Sequence, residues 1–115
     1  MKRISGNISA QLQKRTGTVK NEIGESIPKW ETVHTLTGFI DLSSGDSRRT
    51  VYHAKIQEST HLFICDYVEI DSSITSENSR MIVNGRKYDV TYIDNPMELN
   101  KHLEFYLKYT GGQNG

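Results

Sequence analysis

Chemistry in this chain would start from its histidines, its one cysteine and its acidic clusters. The histidines are His34, His53, His61 and His102, and His53 and His61 are the nearest pair. Their spacing matches no common zinc pattern, and Cys65, the lone cysteine, cannot complete a zinc set. His61 reads instead as a hydrogen-bonding residue at the start of a strand. Cys65 falls in mid-strand among apolar residues, where a thiol is inert packing rather than a nucleophile. Asp66, Glu69 and Asp71 form an acidic cluster near a strand end. Paired carboxylates can exchange protons with a substrate, but a solvated strand edge accounts for these three more simply. No Walker-type phosphate loop is present, because Gly85-Arg86-Lys87 belongs to a hairpin turn. The residues point to no catalytic site, no metal and no cofactor.

Nucleic-acid binding is the other chemistry to weigh. Lys14-Arg15, Arg48-Arg49 and Arg86-Lys87 are basic doublets at loop or strand ends, and Tyr88, Tyr92 and Tyr106 could stack bases. Against this, Tyr88 and Tyr92 share a strand face with Met81 and Val90, which is the pattern of a core. The 14 basic and 14 acidic residues cancel, so no net field draws the molecule to a polyanion or to an anionic membrane. A single-strand-binding barrel is the alternative of another class. It requires those tyrosines to be exposed.

Stepping out from these residues, 115 positions suggest one domain, 1–115, with a modest core. The apolar share is 35%, but six tyrosines, three phenylalanines and a tryptophan supply large buriable area. One cysteine excludes an intrachain disulfide framework and suits a reducing cytoplasm. The first fifteen residues lack the apolar run of a signal peptide. No stretch approaches the roughly 20 apolar residues of a membrane helix.

The strongest local signal is Ser79–Asp94. Two β-rich runs flank Asn84-Gly85, the preferred pair for a two-residue type I′ turn, in which both central residues need φ > 0. The turn sets Val83 opposite Arg86, Met81 opposite Tyr88 and Arg80 opposite Asp89. One face then carries Met81, Val83, Tyr88, Val90 and Tyr92, while Ile82 and Ile93 fall with Arg80 and Asp89 on the other. Upstream, Asn7–Val19 alternates as a half-buried strand, which Lys14-Arg15 ends on a polar note. Lys20–Pro28 reads as a long hairpin loop, rich in turn formers. Trp30–Leu42 reads as a strand with a bulge or bend at Gly38. Ser43–Thr50 reads as an exposed loop, and Val51–Glu58 fits either strand or short helix. His61–Ile70 is apolar on both faces and reads as a central strand. Ser72–Ser79 has room for a turn of helix. Asn95-Pro96 opens a single helical turn, and Leu103, Phe105, Leu107 and Tyr109 then alternate as a final strand, with a helix as the competing reading. The fold class is mainly β: a small antiparallel barrel of about six strands, with a long loop and at most short helical turns.

Several features occur in an order that carries further meaning. A basic N-terminal strand leads to a loop with Gly24-Glu25, then Trp30-Glu31-Thr32-Val33. Gly38 with an apolar pair follows, and then Ser44-Gly45. Ser59-Thr60-His61 leads to Asp66-Tyr67, and Asn84-Gly85-Arg86-Lys87-Tyr88 precedes an aspartate-rich turn and a last alternating strand. Over nearly its whole length the chain resembles the head–tail joining proteins (head-closure, or stopper) of long-tailed bacteriophages and prophages. That resemblance implies a connector subunit of the virion, made in the bacterial host cytoplasm. It would be monomeric alone and would assemble as a ring, dodecameric to follow the portal. Its partners would be other copies of itself, the portal or an adaptor, a tail-completion or tail protein, and the packaged double-stranded DNA. The ring would hold DNA in and give the tail its platform; a tail-terminator or minor tail protein is the nearest alternative. The resemblance places a channel loop at about Ser43–Gln57, with Ser43, Ser44, Gly45, Asp46, Arg48 and Arg49 as candidates. A ring contact joins two different surfaces of one subunit. Lys14 and Arg15 on one side, and Asp66, Glu69 and Asp71 on another, are the candidate contacts.

Overall fold

A computed structural model describes residues 6–42 and 59–109. Six strands make up most of it: β1 (Ile8–Lys20), β2 (Ser26–Leu42), β3 (His61–Asp66), β4 (Ser79–Val83), β5 (Arg86–Asp94) and β6 (His102–Tyr109). All neighbouring pairs are antiparallel, and the sheet closes on itself in the order β1-β2-β3-β6-β5-β4. Closure removes the exposed sheet edges that would otherwise pair with other chains.

Alternation decides what lies inside. Ala10 and Leu12 of β1, Leu36 of β2, Phe63 and Cys65 of β3, Met81 and Val83 of β4, Tyr88 and Val90 of β5, and Leu103, Phe105 and Leu107 of β6 fill the interior. Phe63 and Phe105 lie opposite each other in the β3–β6 register, their rings 6.4 Å apart. Each buried aromatic of this size contributes about 1.5–3 kcal/mol through area removed from water. Among the described residues, Ile74, from the connection before β4, is the one fully buried member of the core outside the strands, and Tyr67, Val68 and Ile70 of the same connection pack against it.

The central hairpin forms as its sequence dictates. Asn84 (φ 52°) and Gly85 (φ 77°) both take left-handed conformations, and the register pairs Val83 with Arg86, Met81 with Tyr88 and Arg80 with Asp89. Farther along β5 the alternation breaks. Thr91 is an extra residue between the pairs Val90–Leu107 and Tyr92–Tyr106. A bulge of this kind shifts every later side chain to the other face. Ile93 therefore packs on the core, whereas Tyr92, expected inside, meets Tyr106 with ring centroids 6.1 Å apart.

Other elements differ in extent from the sequence reading. The Lys20–Pro28 loop shrinks to Asn21–Glu25, because β2 starts at Ser26 and β1 continues past Lys14-Arg15 to Lys20. Two register shifts, between Leu12 and Gln13 and between Arg15 and Gly17, let the long ribbon twist while still pairing. The Asn21 side-chain oxygen accepts the backbone N–H groups of Ile23 and Glu25, closing the tight tip. No register shift occurs at Gly38. A Cβ there would fall on the Ile64 carbonyl oxygen, so this glycine permits close approach of the β3 backbone rather than a bulge. β3 ends at Asp66, four residues short of the expected strand end at Ile70. Single 3-10 turns occupy Ser76–Asn78 and Pro96–Glu98, and the C-terminal element is a strand. The candidate loop Ser43–Gln57 and the strand-or-helix segment Val51–Glu58 lie outside the described residues, as does Met1–Ser5.

Candidate interaction surfaces

The register gives the barrel two unlike ends. At one end are the Asn84-Gly85 turn, the C-terminal end of β2 and the start of β3. At the other are the β1–β2 hairpin, the 67–78 connection and the turn between β5 and β6.

At the first end a cleft of about 450 Å³ is lined by residues that include Asp41, Leu42, His61, Asn84, Arg86 and Tyr88. His61 anchors its floor. Its Nδ1 lies 2.8 Å from the Thr60 hydroxyl, and its ring meets the Tyr88 and Tyr109 rings edge-on at 5.0 and 6.4 Å. Burial, and then the positive charge of Arg86, lower its pKa. Arg86 lies over the Tyr109 ring at 5.6 Å. This is the hydrogen-bonding role expected of a histidine at a strand start. Cys65, 1% exposed, has its thiol pushed up to about 12 by burial and then by the charge of Asp66, which leaves it protonated and unreactive at neutral pH.

The opposite end gathers the charged candidates. Lys14 Nζ donates to Ser73 Oγ at 2.9 Å, and Arg15 donates to the Glu77 carbonyl at 3.5 Å. The Asp71 carboxylate accepts the Ser73 N–H at 2.8 Å. That bond first, then the Ser73 hydroxyl and the charge of Lys14, hold its pKa below the usual carboxylate range. Lys14 and Asp71, set on different surfaces by sequence reasoning, are thus near neighbours in one subunit, joined through Ser73. Asp66 closes β3, and Glu69 is exposed on the connection that follows. Ser43, Ser44, Gly45, Asp46, Arg48 and Arg49 are outside the described residues, as is His53. Among the described residues no group of three His, Cys, Asp or Glu side chains could hold a metal ion. His102 sits against Glu104, 3.2 Å away, on β6.

On the barrel's outer face the Arg80 guanidinium stacks over Trp30 at 4.3 Å, and its Nε donates to Gln13 Oε1 at 2.8 Å. Burial lowers the Arg80 pKa, and Asp89 across the strand opposes that shift. The indole N–H of Trp30 is buried with no acceptor among the described residues. Of the three candidate stacking tyrosines two are buried, and Tyr92 is half-buried. Tyr88 is 4% exposed and lies in the core, and Tyr106 is 8% exposed, packed on Tyr92.

Sequence reasoning missed two surfaces. The first is the outer half of the β1–β2 hairpin, where Val19 faces Ile27 and Ile23 caps the tip, all exposed. Its signal was the placement of apolar β-branched residues evenly about Asn21–Glu25. The second is the turn before β6, where Met97 is 85% and Leu99 53% exposed. Met97, Glu98 and Asn100 there all have left-handed backbones, each costing about 1 kcal/mol or more. Side-chain hydrogen bonds between Asn95 and Asn100 brace the turn.

No helix among the described residues is long and apolar enough to cross a membrane. No curated protein matches the chain. A family model described as phage head completion protein matches it over residues 1–108.

Proposed function

The chain belongs to the phage head completion protein family, a family of structural virion proteins, and from that premise we propose that it is a head-closure (stopper) subunit. Its general role is in the assembly of the phage head, in contact with other virion components. In the finer reading, copies form a ring below the portal, dodecameric to follow it. The ring retains packaged double-stranded DNA and presents a platform to the tail. Residues Ser43–Gln57 face the channel, where Arg48 and Arg49 meet DNA phosphates. The charged residues Lys14, Arg15, Asp66, Glu69 and Asp71 lie in or beside subunit contacts. The observation that carries this reading is the family match, which covers five strands and all but the last residue of the sixth in a closed barrel with two differently equipped ends. A closed barrel is a rigid block suited to ring building, since its own edges are already paired.

A null mutant of the encoding phage tests the role. Closure predicts full-length free tails beside heads that have packaged and then lost their DNA. Purified protein added with tails to freshly filled heads restores infectivity. Tails of irregular length in the null lysate would instead place the protein at the tail terminus. Complete particles lacking the protein would contradict both.

A further inference from the structure

The β1–β2 hairpin outgrows the barrel that it helps to close. β4 pairs with β1 only as far as Lys14, and β3 pairs with β2 only from Gly38 onward. Beyond those points, among the described residues, no third strand pairs with either. Six residues of β1 past Lys14, at roughly 3.3 Å each, carry the ribbon about 20 Å outward. The long axis of the molecule is accordingly 50 Å, against 26 and 25 Å for the others. A lone two-stranded ribbon is marginal in water and leaves unpaired backbone edges. This one also exposes Val19, Ile23 and Ile27. Such an arm is built to lie against something.

We propose that the arm docks on a second copy of this chain, at the rim that carries Met97 and Leu99. This rests on the ring reading above. Two features select that occupant. Among the described residues the rim is the other exposed apolar spot at this end of the molecule, held out by left-handed backbone at Met97, Glu98 and Asn100. The charges also complement. Past Lys14, as far as Lys29, the arm has three basic residues and two acidic ones, whereas Asp66, Glu69, Asp94 and Glu98 outnumber Lys101 around the rim; Lys14 and Asp71 already meet within one subunit. Arm and rim are different surfaces of one subunit, so their contact is heterologous, the kind that propagates around a ring.

Crosslinking in assembled particles tests the contact. Full-length Ile27→Cys/Met97→Cys protein is incorporated into virions and treated with a short bis-maleimide. The buried Cys65 serves as an unreactive background thiol. The arm–rim contact predicts a ladder of linked multimers from the double variant, and its loss in each single variant. Reversal of charge by Lys29→Glu should reduce incorporation, and Glu98→Lys in the same chain should restore it. A ring layer visible on the particles, with no ladder and no effect of charge reversal, would overturn the arm contact and leave the ring standing. Absence of any ring layer on wild-type particles would overturn both.

Discussion

Individual residues set the pH behaviour of this barrel. His61 has a folded pKa below its ordinary value of 6.5, through burial and the nearby Arg86. A group depressed in this way favours folding above its unfolded pKa and loses that contribution as pH falls through the folded one. Stability should therefore decline on acidification below 6.5. Urea unfolding midpoints across that range should fall less steeply for His61→Gln, and for Arg86→Gln, than for the parent. A thiol raised to about 12 has the opposite effect. Cys65 contributes stability that is intact below its ordinary value of 9.0 and is lost as pH rises towards 12. Cys65→Ala should flatten that alkaline loss, while costing some core packing at all pH values. The interior role of Cys65 was legible in the sequence, because its neighbours are apolar. The pairing of Lys14 with Asp71 through Ser73 was not, since those residues meet only when the 67–78 connection folds back over the barrel end.

At the scale of elements, the hairpin around Asn84-Gly85 was legible to the register, because a type I′ turn leaves one pairing open to its strands. The error began at Thr91. An inserted residue carries no mark of its own in a run of β-formers, so Tyr92 and Ile93 exchanged faces unseen. Deleting Thr91 should remove the bulge and leave Val90 inside, Tyr92 outside and Ile93 still inside, at a cost well below the about 1.5–3 kcal/mol of one buried apolar side chain. Chemical denaturation measures it, and a loss as large as that of Ile93→Ala would show that the extra residue is what holds Ile93 inside. Gly38 makes a second test. A β-carbon there collides with the Ile64 backbone, which cannot swing aside as a side chain would. Gly38→Ala should cost about 3 kcal/mol or more, whereas a glycine needed only for a bulge would tolerate alanine. The hairpin arm was misread because Asn21, Gly24 and Pro28 are loop-formers by composition. They form a ribbon here because Gly17 stands at a register shift and Asn21 and Gly24 in the tip turn, with φ of 140° at Gly17 and 86° at Gly24, while Pro28 pairs in register with Thr18.

The whole molecule joins a closed body to a projecting arm, with zero formal net charge and its charges sorted by region. The closed, mainly β architecture followed from turn spacing and alternation. The 50 Å length did not, because it depends on how far β1 and β2 continue past their last pairings with β4 and β3. A body that has already paired its barrel edges gains little by opening, so assembly should proceed by docking intact barrels. The family places such barrels in the phage head, and the account sets them as a ring at its exit. Imaging of purified portal complexes, with any adaptor present, before and after addition of this protein is the most direct test. The account predicts one new ring layer on the face from which DNA leaves, with the symmetry of the layer above it. Portal complexes that stay unchanged with adaptor and protein both in excess would contradict it.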